Sequence, residues 1–209
     1  MDRDARVVCL DISDELLERS FPDRTGDHVY RACDLTNRSS CESAVSAVLE
    51  ATGQIDILAN IAGGFMMGDP LHETADDTWD FLFNLNTRSI MNMAAAVVPQ
   101  MLSARSGKIV NVAARAANAG VATMGPYTAS KAAVMRLTES MALELRESGI
   151  NVNSILPGTI DTPRNRSDMP DADHSKWVPT ADLAEVVGFL ASDAARAVHG
   201  AGVPVDGLS

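Results

Sequence analysis

Tyr127 and Lys131 stand four residues apart in YTASK, at the end of the stretch NVAARAANAGVATMGPYTASK, residues 111–131. On a helix that spacing puts both side chains on one face, roughly 5–6 Å apart at Cβ. A phenol titrates at about pH 10 when unperturbed, and a fixed cation nearby favours its ionised form, which moves it toward the range useful for proton transfer. The pair therefore reads as a proton donor with an electrostatic helper. Something must also hold the oxygen or nitrogen that Tyr127 protonates. No serine lies between Asn111 and Tyr127, which leaves Asn118 and Thr123 as polar side chains within that stretch.

The elements that position this pair follow from hydrophobic patterning. Short apolar runs at 6–11, 28–34, 55–63, 107–114, 150–157 and 201–207 read as buried strands. Helical spacing of apolar residues fills 41–53, 76–105, 126–149 and 180–196, with Thr180 as the expected N-cap of the last. Strands alternating with helices imply right-handed βαβ units and a doubly wound parallel sheet, an α/β Rossmann-type fold. With 209 residues the chain suits a single domain. The piece 157–179 holds Pro157, Pro163, Pro170 and Pro179, reads as irregular, and has the length of a functional lid.

In such sheets ligands bind beyond the carboxyl ends of the strands, so strand-end residues are the candidates. Asp11 ends the first run, where a carboxylate can accept both ribose hydroxyls of a dinucleotide and repel a 2′-phosphate; capping the next helix is the equal alternative. Asp34 and Leu35 end the second run and could meet an adenine, or Asp34 could cap a helix. Asn60, Ala62 and Gly63 end the third, where glycine lets backbone approach a ligand. Asn86 sits inside a helical pattern that asparagine disfavours, which points to packing or function.

Composition sets the outer limits. Seventeen Lys+Arg against 28 Asp+Glu give −11, without a basic block, which argues against nucleic acid as a partner. Cys9, Cys33 and Cys41 form no CxxC pair and read as free thiols, so no metal site is expected. The charged N-terminus suits no signal peptide, and no apolar run has membrane-spanning length. A cytoplasmic protein without a membrane partner is the expectation.

Taken in order, Asp11, CDLT (33–36), NIAGG (60–64), Trp79 seven before Asn86, GKIVNV (107–112), YTASK (127–131), INVNSILPGTIDTP (150–163) and GVPVDG (202–207) resemble the short-chain dehydrogenase/reductase family over residues 6–207. The resemblance implies a hydride transfer between a nicotinamide cofactor and a small-molecule carbonyl or alcohol. Tyr127 would be the general acid/base, Lys131 would bind the nicotinamide ribose and lower the tyrosine pKa, and Asn86 would hold a water in the proton relay. Pro157, Gly158, Ile160 and Thr162, in the turn that covers the nicotinamide, would complete the cofactor site. Helices 76–105 and 126–149 would form a homo-oligomer interface, dimeric or tetrameric. Asp11, with no arginine after it, implies NAD in preference to NADP.

Two departures qualify this. The family's serine falls thirteen residues before the tyrosine, where this chain has Ala114. Losing a comparable donor costs roughly 10²–10³ in rate. The lid sequence also resembles the dihydropteridine reductase branch, whose conjugated pterin-like substrates need no serine, although Asn86 follows the general family instead. Either the substrate is such an acceptor or Asn118 or Thr123 supplies the donor. Secondly, no GxxxGxG turn occurs, so the expectation is that residue 1 falls near the end of the first helix and a central strand is missing, leaving a gap in the sheet. A catalytically impaired binding or assembly protein on this fold is the alternative function, and an isomerase or dehydratase a third.

Overall fold

The computed structural model describes residues 5–23 and 27–208. In chain order its elements are β1 (Val8–Asp11), α1 (Asp14–Ser20), β2 (Val29–Ala32), α2 (Arg38–Thr52), β3 (Ile57–Asn60), α3 (Asp76–Phe83), α4 (Ser89–Ala104), β4 (Gly107–Val112) and α5 (Gly125–Leu145). Then come β5 (Ile150–Pro157), β6 (Ile160–Asp161), α6 (Pro163–Asp168), β7 (Val178–Pro179), α7 (Thr180–Leu190) and β8 (Gly202–Val205). The expected α/β alternation is present, with most strands shorter than the apolar runs that announced them.

All strand pairings are parallel, in the orders β1-β2, β3-β4-β5-β8 and β6-β7. Every residue of β5 is buried, as a central parallel strand must be when helices cover both faces. One apolar cluster joins Cys33 beside β2, Leu58 of β3 and Ile109 of β4 to Met93 and Val97 of α4, with Leu10 of β1 packed against it. The first pair of strands thus shares a core with the four-stranded sheet. Among the described residues β1 pairs only with β2 and β3 only with β4. Ile57 of β3 is 44% exposed and Val7 43%. Residues 1–4, on which the expected end of a first helix falls, lie outside the described residues.

The helix expected over 76–105 runs from Asp76 to Ala104, with a π-turn at Asn84–Arg88 where the buried Asn86 side chain bonds the backbone of Gly64. Single π-turns inside helices frequently mark functional positions. Two expectations are corrected. Thr180 is the first helical residue of α7, and Pro179 is its cap without a side-chain bond. Nor is 157–179 irregular: Thr162 caps α6 by accepting from Asn165 N–H, Pro163 takes the first helical position, and Asp173 caps a 3₁₀ turn at His174–Lys176.

A buried polar ladder locks the carboxyl ends of β3 and β4 to α5. Asn60 Nδ2 donates to Asn111 Oδ1 at 2.8 Å, Asn111 Nδ2 donates to Thr138 Oγ1 at 2.9 Å, and Thr138 Oγ1 donates to Val134 O at 2.8 Å. Leaving such groups unpaired in the interior costs about 1–3 kcal/mol each. Asn111→Ala is expected to destabilise the protein by about 2–4 kcal/mol in urea unfolding, whereas Asn118→Ala, at an exposed position, should stay within about 0.5 kcal/mol. Equal effects would remove the ladder from the account.

Candidate active site

Tyr127 lies in the first turn of α5, behind Pro126, and Lys131 follows one turn later. Lys131 is only 5% exposed, and its Nζ donates to Val112 O at the end of β4, 2.8 Å away. Burial pulls its pKa down from 10.5 to about 8. The Tyr127 hydroxyl is pushed up from 10.0 by burial.

Asn86 fastens the opposite wall. Its Oδ1 accepts from Gly64 N–H at 2.7 Å, and its Nδ2 donates to Gly64 O and to Ser130 Oγ, both at 3.0 Å. Ser130 Oγ donates in turn to Tyr127 O at 2.8 Å. Both amide protons of Asn86 are therefore engaged, and the side chain works as a clamp between the glycine loop and α5. A relay water would have to be held elsewhere on the residue. Ser130 was not singled out in the sequence; its place one residue before Lys131 was the only signal. Phe65 was missed as well. Fixed by the clamp on Gly64, its ring meets Tyr127 edge-on, with centroids 4.9 Å apart and planes at 86°.

The other candidates divide into those at the site and those occupied elsewhere. A Cβ on Gly63 would stand 3.0 Å from Lys131 Nζ and 3.1 Å from Asn86 Oδ1, so a side chain there would press on the buried ammonium. Ala62 lies in the same loop, exposed. Asp11 ends β1 half-buried, with Oδ1 accepting from Ile12 N–H at 2.7 Å. Asp34 Oδ1 accepts from Thr36 N–H and Oγ1, which makes it a turn former; the cap of α2 is Asn37. Leu35 O accepts from Asn92 Nδ2. Asn60 Nδ2 donates to Asn111 Oδ1.

Beyond β5, Pro157 is buried and Gly158 N–H donates to Val205 O. Ile160 O accepts from Asn165 Nδ2, and Thr162 Oγ1 caps α6. Asp161 is held by Arg166 through two hydrogen bonds, the longer 2.8 Å, and that bonding keeps its carboxyl below the usual range. Ala114 is buried after β4 and offers no hydroxyl. Asn118 is exposed and borders a surface hollow with Gly120 and Thr128, while Thr123 lines a different cleft with Met66 and Pro126.

At the carboxyl ends of the strands, Asp11 keeps Oδ2 available for a diol, while the Gly63 backbone lies close against Lys131 and Asn86. The pyrophosphate of a dinucleotide is different. The described N-terminus of α1 carries Asp14 and Glu15 in its first turn, which opposes an anion there. Among the described residues no group of three His, Cys, Asp or Glu could hold a metal, and no helix is long and apolar enough to cross a membrane.

A Rossmann-type sheet with a buried lysine one turn after a tyrosine defines a class, and comparison with known proteins agrees. The family model for short chain dehydrogenases matches residues 1–173. The 2-(R)-hydroxypropyl-CoM dehydrogenase of Xanthobacter autotrophicus is 35% identical, covering 98% of this chain and 88% of its own. The cyclopentanol dehydrogenase of Comamonas testosteroni is 32% identical, over 97% and 86%. A gluconate 5-dehydrogenase from Burkholderia cenocepacia J2315, solved with NADP and tartrate, superposes with TM-score 0.87 at 30% identity, over 97% and 84% of the chains. The NAD⁺-bound structure of a xylitol dehydrogenase gives 0.87 at 25% identity, over 98% and 89%. The chain belongs to the short-chain dehydrogenase family.

Two titrations check the electrostatics. The chain has two tyrosines, Tyr30 and Tyr127, so the difference in 295 nm absorbance between wild type and Tyr127→Phe isolates one phenol. Its midpoint without cofactor is expected above the ordinary tyrosine value of 10.0; a midpoint below that value would contradict burial as the controlling effect. For Lys131 the folded pKa is below the unfolded one, so the unfolded chain binds more protons between about 8 and 10.5. Stability should therefore rise with pH across that window relative to Lys131→Met, and a falling difference would overturn the assignment.

Proposed function

We propose that this protein is an oxidoreductase that moves a hydride between a nicotinamide cofactor and a secondary alcohol or its ketone. The observation that carries this reading is the buried Lys131 ammonium beside the bare Gly63 backbone, one helical turn from Tyr127. The cofactor, when bound, supplies or accepts the hydride. Tyr127 Oη gives its proton to the carbonyl oxygen during reduction and takes it back during oxidation. Lys131 Nζ, fixed by Val112 O, binds the ribose and brings positive charge to the phenol, offsetting the cost of ionising a buried hydroxyl. Asn86 positions the glycine loop, with Asp11, Ala62, Gly63, Pro157, Gly158, Ile160 and Thr162 lining the cofactor's path. The relatives' printed activities, on a cyclopentanol, a hydroxypropyl group and sugar-derived alcohols, support this substrate class.

Ala114 favours a second reading, in which the acceptor is a conjugated, pterin-like ring that needs no second donor. The two are separated by assaying simple ketones and a quinonoid pterin side by side. In either, Tyr127→Phe should lower kcat by about 10²-fold or more. More than a tenth of the activity remaining would remove Tyr127 as the donor. Absence of turnover with every acceptor would leave the impaired binding-protein alternative.

Cofactor choice rests on Asp11. A carboxylate at the end of β1 accepts from two ribose hydroxyls and repels a 2′-phosphate, so NAD should be used better than NADP. In kcat/KM measured with both, Asp11→Ser should erode that preference at least tenfold; a wild-type preference for NADP would refute it. Self-association through α4 and α5 is also proposed, on the exposed Met91, Leu102 and Leu143.

A further inference from the structure

Tyr127 stands where a helix holds its residues least firmly. It is the third residue of α5, which begins at Gly125 without a side-chain cap, and Pro126 before it has no N–H. The first amide to bond back along the helix is that of Thr128, to Met124 O at 2.9 Å. First turns of this kind fray unless other parts of the fold hold them. Here Ser130, three residues on, joins Tyr127 to the π-turn at Asn84–Arg88. Its Oγ donates to Tyr127 O at 2.8 Å and accepts from Asn86 Nδ2 at 3.0 Å. Its own carbonyl accepts from Thr87 Oγ1 at 3.2 Å. Two successive residues of the π-turn thus grip one serine, by its hydroxyl and by its backbone.

A serine bonded three residues back is by itself an ordinary feature of helices. Thr128 is the example beside it: its Oγ1 donates to Gly125 O at 3.0 Å, and that bond stays within α5. Ser130 differs in its second bond. Asn86, which supplies it, also fixes both polar groups of Gly64, and Phe65 next to Gly64 meets the Tyr127 ring edge-on. Tyr127 is therefore held at its carbonyl and at its ring, and both lines lead to Asn86. With 0% exposure, Ser130 itself touches neither substrate nor cofactor. We propose that Ser130 is a positioning residue for the proton donor: its hydroxyl carries the placement of the π-turn to the Tyr127 backbone and so aims the phenol. The inference rests on the reading of Tyr127 as the donor in an alcohol or ketone oxidoreductase.

The test uses the full-length chain with three changes at one position. Ser130→Ala removes the hydroxyl, Ser130→Cys fills nearly the same space with a weak donor, and Ser130→Thr keeps the hydroxyl. Thr128→Val, as a comparison, removes the bond confined to the helix. Two quantities are read: kcat and KM for NADH in ketone reduction, and the ultraviolet titration midpoint of Tyr127 without cofactor. A displacement of about 1 Å can cost on the order of 10²-fold in rate, so the Ala and Cys variants should lose about 10–100-fold in kcat. KM for NADH should stay within about twofold, since no cofactor contact is removed. The midpoint in both variants should move from its raised value toward 10.0, as water reaches a loosened phenol. Ser130→Thr and Thr128→Val should keep both quantities near wild type. The proposal is overturned if the Ala and Cys variants match wild type, if the Thr variant is as impaired as they are, or if Thr128→Val costs as much. If the midpoints follow this order while neither wild type nor any variant turns over a ketone, the positioning role stands and the proposed reaction falls. If Tyr127-dependent turnover is indifferent to Ser130, the positioning role alone falls.

Discussion

A lysine ammonium 5% exposed in the interior is the constraint around which this structure is arranged. Charge in such a place is unfavourable unless fixed partners surround it. Val112 O supplies one, and Gly63 brings backbone without a side chain against it. The residual cost is visible as a pKa brought down to about 8. A structural core would avoid that cost with an apolar residue. Retaining it makes sense where a ligand hydroxyl and a neighbouring phenol need a cation.

The surroundings follow from keeping that cation and its phenol in register. Asn86 reaches from a π-turn to both polar groups of Gly64 and to Ser130, so one amide ties the glycine loop, the α3–α4 junction and α5 together. Underneath, the Asn60–Asn111–Thr138 ladder joins two strand ends to the same helix. Both devices are polar and largely buried, and hydrogen-bonded networks of this kind confer rigidity. Rigid placement matters here because a proton donor misplaced by even about 1 Å loses much of its effect.

The fold was legible because period and length carry it. The apolar runs at 107–114 and 150–157 became β4 and β5 nearly at their expected bounds. Tyr127 and Lys131 were legible because a four-residue spacing translates directly into one helix face. What hid was pairing. The bond from Asn60 to Asn111, 51 residues on, leaves no local signal. The π-turn at Asn84–Arg88 was hidden for the same reason: the partner of Asn86, Gly64, is more than twenty residues away. The segment 157–179 read as irregular because of its prolines, which instead start α6 and precede α7.

The central claim is that Tyr127 protonates an oxygen whose carbon receives a hydride. Its most direct test is isotopic. The protein is incubated with nicotinamide cofactor deuterated at the transferable C4 position and with 2-pentanone, and the product alcohol is analysed by mass spectrometry. The account predicts one deuterium at the carbinol carbon with wild-type protein, and at least about a hundredfold less product with Tyr127→Phe. Product without deuterium at that carbon, or full labelling by the Phe variant, would contradict it.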